Sequence, residues 1–293
     1  MYMHSKARSK PVKTPFEHPY LQLAHKDGRP LLLYRIASPA DMQAPTHASL
    51  AAGETDPKEL KPNLGFWLDV RLTGDGSLFI SQDELLKTGT AKGKPIELAT
   101  KEECLAAGLH ELLEFAPEMK GRPTVLNLIS RRPGLALRLL ELWGVQDGTK
   151  NEKPLPIQTT VAQSQSDGTL KELREAQPRG LYGSSQAILI QLEILSSLDL
   201  QGLAELRSDI LISDIEERVI DKEHGGHTMR PRLRSATLNE AKRRGLRRYA
   251  GPTSELATMQ AMFADGYDGV LTDSKEIVRH YFPSAQNDET STH

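Results

Sequence analysis

Short runs of apolar and β-branched residues recur along the chain, each bounded by turn residues, and most are followed by a stretch with helical spacing. These runs predict strands at residues 30–37, 65–72, 77–81, 124–130, 157–163, 180–186, 209–213, 246–250 and 269–272. Between them, Leu135, Leu137, Leu139, Leu140 and Leu142 give residues 135–142 the pattern of a helix. Residues 100–115 open with a Thr-x-x-Glu capping box, Thr100 and Glu103. Residues 237–244 and 254–265 have similar helical patterns, the second with Ser254 as the expected N-cap. Alternation of this kind argues for a parallel sheet with helices outside it. Eight main strands in 293 residues favour a single closed TIM-like (β/α)8 barrel over an open sheet. No glycine-rich phosphate loop follows the first strand, which speaks against a doubly wound nucleotide-binding fold. Residues 77–81 then continue a hairpin-like excursion after the second strand.

The body of this α/β domain spans residues 18–283, with no Pro/Gly/Ser-rich linker to divide it. Residues 1–17 are polar and basic (Lys6, Arg8, Lys10, Lys13) and read as an arm; residues 284–293 read as a polar tail. A net charge of −2 provides no global attraction to nucleic acid or to an anionic membrane. The sequence has no apolar run long enough to span a bilayer. No apolar segment follows the basic arm as a secretory leader would require, so a cytoplasmic location is expected. One cysteine, Cys104, excludes an internal disulfide and any Cys-based zinc spacing; its neighbourhood reads as a structural thiol in a helix.

Two segments carry a resemblance to a known family. One is Trp67-Leu68-Asp69-Val70-Arg71-Leu72-Thr73-Gly74-Asp75-Gly76, followed by Leu78-Phe79-Ile80-Ser81-Gln82-Asp83. The other runs from Ala241 to Tyr249 and on to Gly266-Tyr267-Asp268-Gly269-Val270-Leu271-Thr272-Asp273. They resemble the glycerophosphodiester phosphodiesterase family, whose first pattern is Glu-Leu-Asp-Val-x-x-Thr-x-Asp-Gly with a following His-Asp, and whose last is Gly-x-Asp-Gly-x-x-Thr-Asp. Weaker similarities are Tyr34-Arg35 (family His-Arg-Gly), Ala44-Pro45-Thr46-His47 (Ala-Pro-Glu-Asn) and Leu126-Asn127-Leu128-Ile129-Ser130-Arg131 (Leu-Asn-x-Glu-x-Lys).

The resemblance implies a barrel whose C-terminal mouth hydrolyses glycerophosphodiesters with Mg²⁺ or Ca²⁺ and two histidines. A hard cation needs several oxygen ligands, and the histidines move protons near neutral pH. Position by position, most of that equipment is replaced. Tyr34 stands for the first histidine, Trp67 for a metal glutamate, Gln82 for the second histidine, Ile129 for the third-strand glutamate and Arg131 for its lysine. Gly251-Pro252-Thr253-Ser254 replaces a Trp-Thr-Val-Asn. Arg35, Asp69 and Asp83 remain. A tyrosine with an ordinary pKa of about 10 is a poor proton shuttle at pH 7, and Gln82 cannot shuttle at all. The expectation is a site without a metal cofactor. In it, Arg35, Asp69 and Arg131 either bind a phosphate-containing small molecule or a protein partner, or form an Arg–Asp network that closes the barrel top. A phosphodiesterase with a rebuilt site is the alternative. Trp67 is expected to plug the space the metal would take.

Two further features invite chemistry. Residues 230–248 are basic (Arg230, Arg232, Arg234, Lys242, Arg243, Arg244, Arg247, Arg248) and fit either an acidic partner or a solvated face; no aromatic interleaving suggests nucleic-acid stacking. His224 and His227, near Asp221 and Glu223, have metal-like spacing but no third placed ligand, so a loop is the default.

Overall fold

The computed structural model describes residues 18–43, 61–130, 132–144, 155–178, 180–185, 209–213, 215–220, 227–231, 239 and 241–282. The strands, in chain order, are β1 (Leu31–Arg35), β2 (Asn63–Leu72), β3 (Leu78–Ile80), β4 (His110–Glu111), β5 (Thr124–Leu128), β6 (Thr160–Ser164), β7 (Leu181–Ser185), β8 (Ile210–Ser213), β9 (Ile215–Ile220), β10 (His227–Pro231), β11 (Arg247–Ala250) and β12 (Gly269–Thr272). The helices are α1 (Pro19–Ala24), α2 (Pro39–Gln43), α3 (Lys101–Ala106), α4 (Ala116–Met119), α5 (Leu135–Leu142), α6 (Asp167–Ala176), α7 (Leu256–Ala264) and α8 (Lys275–Tyr281). Strands β1, β2, β5, β6, β7, β8, β11 and β12 pair in parallel, each with the next, and β12 returns to β1, which closes the expected eight-stranded barrel.

Alternation along each strand sorts side chains into two cores. Leu31, Leu33, Trp67, Val125, Val161, Ile210, Ile212, Tyr249 and Leu271 fill the barrel interior. Leu32, Tyr34, Phe66, Leu68, Val70 and Leu126 face the other way and pack with helical residues such as Leu139, Leu170 and Met259. At the N-terminal end, Tyr20 and Ala24 of α1 enter the interior cluster and close the base. Gly269 makes room there: a Cβ on it would lie 2.6 Å from the Tyr249 ring.

Several predicted boundaries move. Residues 157–159 form a 3-10 turn after Pro156, and β6 begins only at Thr160. Residues 100–115 are not one helix. The Thr100–Glu103 capping box forms, but α3 ends at Ala106, and Gly108, at φ +79°, turns the chain into β4 and a second 3-10 turn. The N-cap of α7 is Glu255 rather than Ser254; Thr253 Oγ1 accepts a hydrogen bond from the Glu255 backbone N–H. The excursion after the second strand is as expected, with β3 antiparallel to β2, and β4 then adds to β3. The antiparallel pair β9–β10 was not foreseen. His224, Asp221 and Glu223 lie outside the described residues, as do residues 1–17, Ala44-Pro45-Thr46-His47, Arg232, Arg234 and residues 283–293.

Candidate functional site at the barrel mouth

Strand register builds a polar layer above the apolar interior. Asp69 on β2, Asn127 on β5, Gln163 on β6 and Gly183 on β7 are successive register partners. Neighbouring parallel strands present register partners to the same face, and Trp67, Val125 and Val161, two residues earlier on each strand, lie in the interior. The layer therefore faces inward, toward the C-terminal mouth. Arg35, the last residue of β1 and the register partner of Trp67, joins it from the side.

Asp69 is the hub. It is buried, and its Oδ1 accepts hydrogen bonds from Trp67 Nε1 at 2.9 Å and Asn127 Nδ2 at 2.5 Å. Its Oδ2 lies 3.3 Å from Arg35 Nε. That last contact is an ion pair not aligned as a hydrogen bond, since the buried Arg35 Nε–H has no hydrogen-bond acceptor. Two residues further along β2, buried Arg71 donates through Nε to the Ser81 carbonyl and through Nη2 to the Gln82 carbonyl, both at 3.2 Å. Burial lowers the Arg71 pKa, while Glu84, Glu97, Asp69 and Asp83 act to hold its charge. Ser130 donates to Glu97 at 2.5 Å, and Arg132 donates to the carbonyls of Thr73 and Glu97. The insertion between β2 and β5 is thus tied to the rim of the barrel.

The residues singled out from the sequence divide into two groups. Arg35, Trp67 and Asp69 come together. Tyr34 does not join them: its side chain packs in the outer core, where burial first and Asp41 second push its pKa up to about 12. Gln82 is exposed, and its carbonyl accepts from Arg71. Asp83 is drawn into an ion pair with Lys87 at 2.8 Å. Ile129 continues β5 toward the rim, its N–H on the Val70 carbonyl. Arg131 lies outside the described residues. Sequence reasoning passed over Asn127, Gln163 and Arg71; for the first two the available signal was a polar residue at an inward position two steps from an apolar one, Val125 and Val161.

The donor set around Asp69 bears on a hard divalent cation. Such an ion needs several free oxygens; both oxygens of Asp69 are already engaged, one beside a guanidinium. Among the described residues, no group of three or more His, Cys, Asp or Glu side chains is placed to hold a metal ion. Nor is any helix among them long and apolar enough to cross a membrane.

No family model matches the chain, and no curated protein matches it significantly. Solved structures do. A glycerophosphodiester phosphodiesterase from Thermotoga maritima is 18% identical, with a TM-score of 0.52 over 74% of this chain and 84% of that one. One from Agrobacterium tumefaciens is 14% identical, with a TM-score of 0.54 over 85% and 98%. An Oleispira antarctica phosphodiesterase in complex with the product sn-glycerol-3-phosphate is 16% identical, with a TM-score of 0.56 over 87% and 98%. The chain has the barrel fold of the glycerophosphodiester phosphodiesterase structures.

Proposed function

We propose that this protein is a divergent relative of the glycerophosphodiester phosphodiesterases that binds a phosphate-containing ligand at its barrel mouth and does not carry out their metal-dependent hydrolysis. The engagement of both Asp69 oxygens by Trp67, Asn127 and Arg35 carries this reading. A carboxylate placed for a cation would present free oxygen, and a guanidinium 3.3 Å away would oppose the ion. Arg35 supports the second half of the proposal. Its side chain is 18% exposed, its Nε–H has no acceptor, and its fork suits a phosphate better than a point charge would. Asp69 then acts as the group that orients Arg35. Trp67, packed in the interior with its indole N–H on Asp69, fills the space below.

The test is hydrolysis of glycerophosphodiesters and of an aryl phosphodiester by the full chain with Mg²⁺, Ca²⁺, Mn²⁺ or EDTA, beside Asp69→Asn. No turnover above the variant is expected under any condition. Metal-dependent turnover that disappears in Asp69→Asn would overturn the proposal in favour of a phosphodiesterase with a rebuilt site.

A further inference from the structure

The base of the barrel holds a titratable side chain that the reading of the mouth leaves unused. Helix α1 plugs this end: Tyr20 and Ala24 are fully buried in the interior cluster, and the helix is only six residues long. Three side chains fasten it. Asn63 Nδ2 donates to the Ala24 and Lys26 carbonyls, and the Tyr20 hydroxyl lies 3.3 Å from that of Tyr249. His25, the C-cap of α1, places its Nε2 3.1 Å from the same Tyr249 hydroxyl. No strand pairing includes α1, since β1 begins after it at Leu31.

The surroundings of His25 suit a neutral imidazole. Arg247 of β11 acts on it from one side, and Asp268, just before β12, is the carboxylate that opposes Arg247. Both Asp268 oxygens are already engaged, Oδ1 by Arg247 Nη1 at 3.0 Å and Oδ2 by the Arg248 N–H at 2.9 Å. The other groups near the ring are the Tyr20 and Tyr249 phenols and the Arg29 backbone; Lys26 and Asp27, next in the chain, are exposed. A charged imidazole would thus lie beside a guanidinium, half-buried, with no carboxylate of its own. Burial first, and the Arg247 charge second, lower the His25 pKa to about 4, against Asp268 and the Arg29 backbone.

We propose that α1 is an acid-released plug: protonation of His25 frees residues 19–25 from the barrel base while the eight strands stay paired. Release places His25 in water, where its pKa is near 6.5. The open form therefore takes up the proton first, and the closed form loses ground as pH falls from about 6.5 to 4. Between pH 7 and pH 5 the opening equilibrium should rise about twentyfold. Release uncovers the Tyr249 hydroxyl and the apolar interior beside it, whatever the mouth binds.

Native-state hydrogen exchange of the full chain, at pH 7 and pH 5 and in low concentrations of urea, tests this. The reporter is the His25 amide, which donates to the Leu21 carbonyl; the amides of β6 report on the whole barrel. The His25 amide is expected to exchange faster than those of β6 and with little dependence on urea, because release of one short helix exposes little surface. Its protection, corrected for the intrinsic rate, should fall about twentyfold from pH 7 to pH 5. In His25→Gln the amide at this position should lose that fall. His25→Asn is the second variant, and the native comparison stands even if neither folds. Exchange that follows the urea dependence of β6 would mean that α1 leaves only with the whole barrel, and would overturn the proposal. So would protection that does not fall with pH in native protein, or a fall that persists in both variants.

Discussion

At the base of the barrel, Tyr20, His25 and Tyr249 share one network. The two tyrosine hydroxyls are 3.3 Å apart, His25 Nε2 is 3.1 Å from the Tyr249 hydroxyl, and Asn63 donates to the carbonyls of Ala24 and Lys26. At the mouth, Asp69 is equally well served, but the Arg35 Nε–H and the Gln163 carbonyl are left over. Inside the closed sheet the base network is paired and the mouth leaves two groups over, although Arg248 Nε, outside the sheet at the base, is also buried without a partner. Burial without a partner is destabilising, and the ligand proposed for the mouth would relieve that cost there. The positions agree with this division: barrel enzymes work at the C-terminal end, and residues at the other end serve the fold.

Removing the mouth's hub should have the largest effect. Asp69→Ala leaves a guanidinium, an indole N–H and an amide without their acceptor, and is expected to cost about 3–5 kcal/mol in urea unfolding. A neutral or stabilising result would mean that Asp69 is held against its surroundings, as a metal ligand without its ion often is.

Acidification probes the base. Burial, and secondly the charge on Arg247, lower the His25 pKa to about 4, with Asp268 opposing. The unfolded chain, with a histidine pKa near 6.5, therefore binds the proton more readily than the folded one. His25 thus takes stability away as pH falls from about 6.5 to 4, by up to about 3 kcal/mol. The difference between native protein and His25→Gln should grow over that window and be flat above it. A flat difference throughout would place His25 in water rather than beneath the barrel.

Tyr249→Phe should cost about 1–2 kcal/mol, because Tyr20 and His25 both lose a partner. The smallest effect is expected at Gln163→Met, neutral or stabilising by about 1 kcal/mol. If these two changes were reversed in sign, the contrast between the two ends would fail.

The barrel was legible because strands buried on both faces read as apolar runs, and their order survives errors of a few residues at each end. Boundaries failed where a local device outweighed the pattern. Gly108 broke a helix whose first turn was correctly marked by Thr100 and Glu103, and Pro156 delayed β6. The site was legible only in part. Resemblance pointed to Arg35, Trp67 and Asp69, which meet. It could not show that Tyr34 turns to the outer core, or that Asp83 is taken by Lys87, because both depend on side-chain direction. Asn127 and Gln163 joined the site through register, a relation between strands that no single segment states.

The decisive measurement is binding of propyl phosphate to the full chain in EDTA and in Mg²⁺, for native protein and Arg35→Ala. The proposal predicts the same affinity in both solutions and its loss in Arg35→Ala. Binding that requires Mg²⁺, or that persists without the Arg35 side chain, would contradict a metal-free anion site at this mouth.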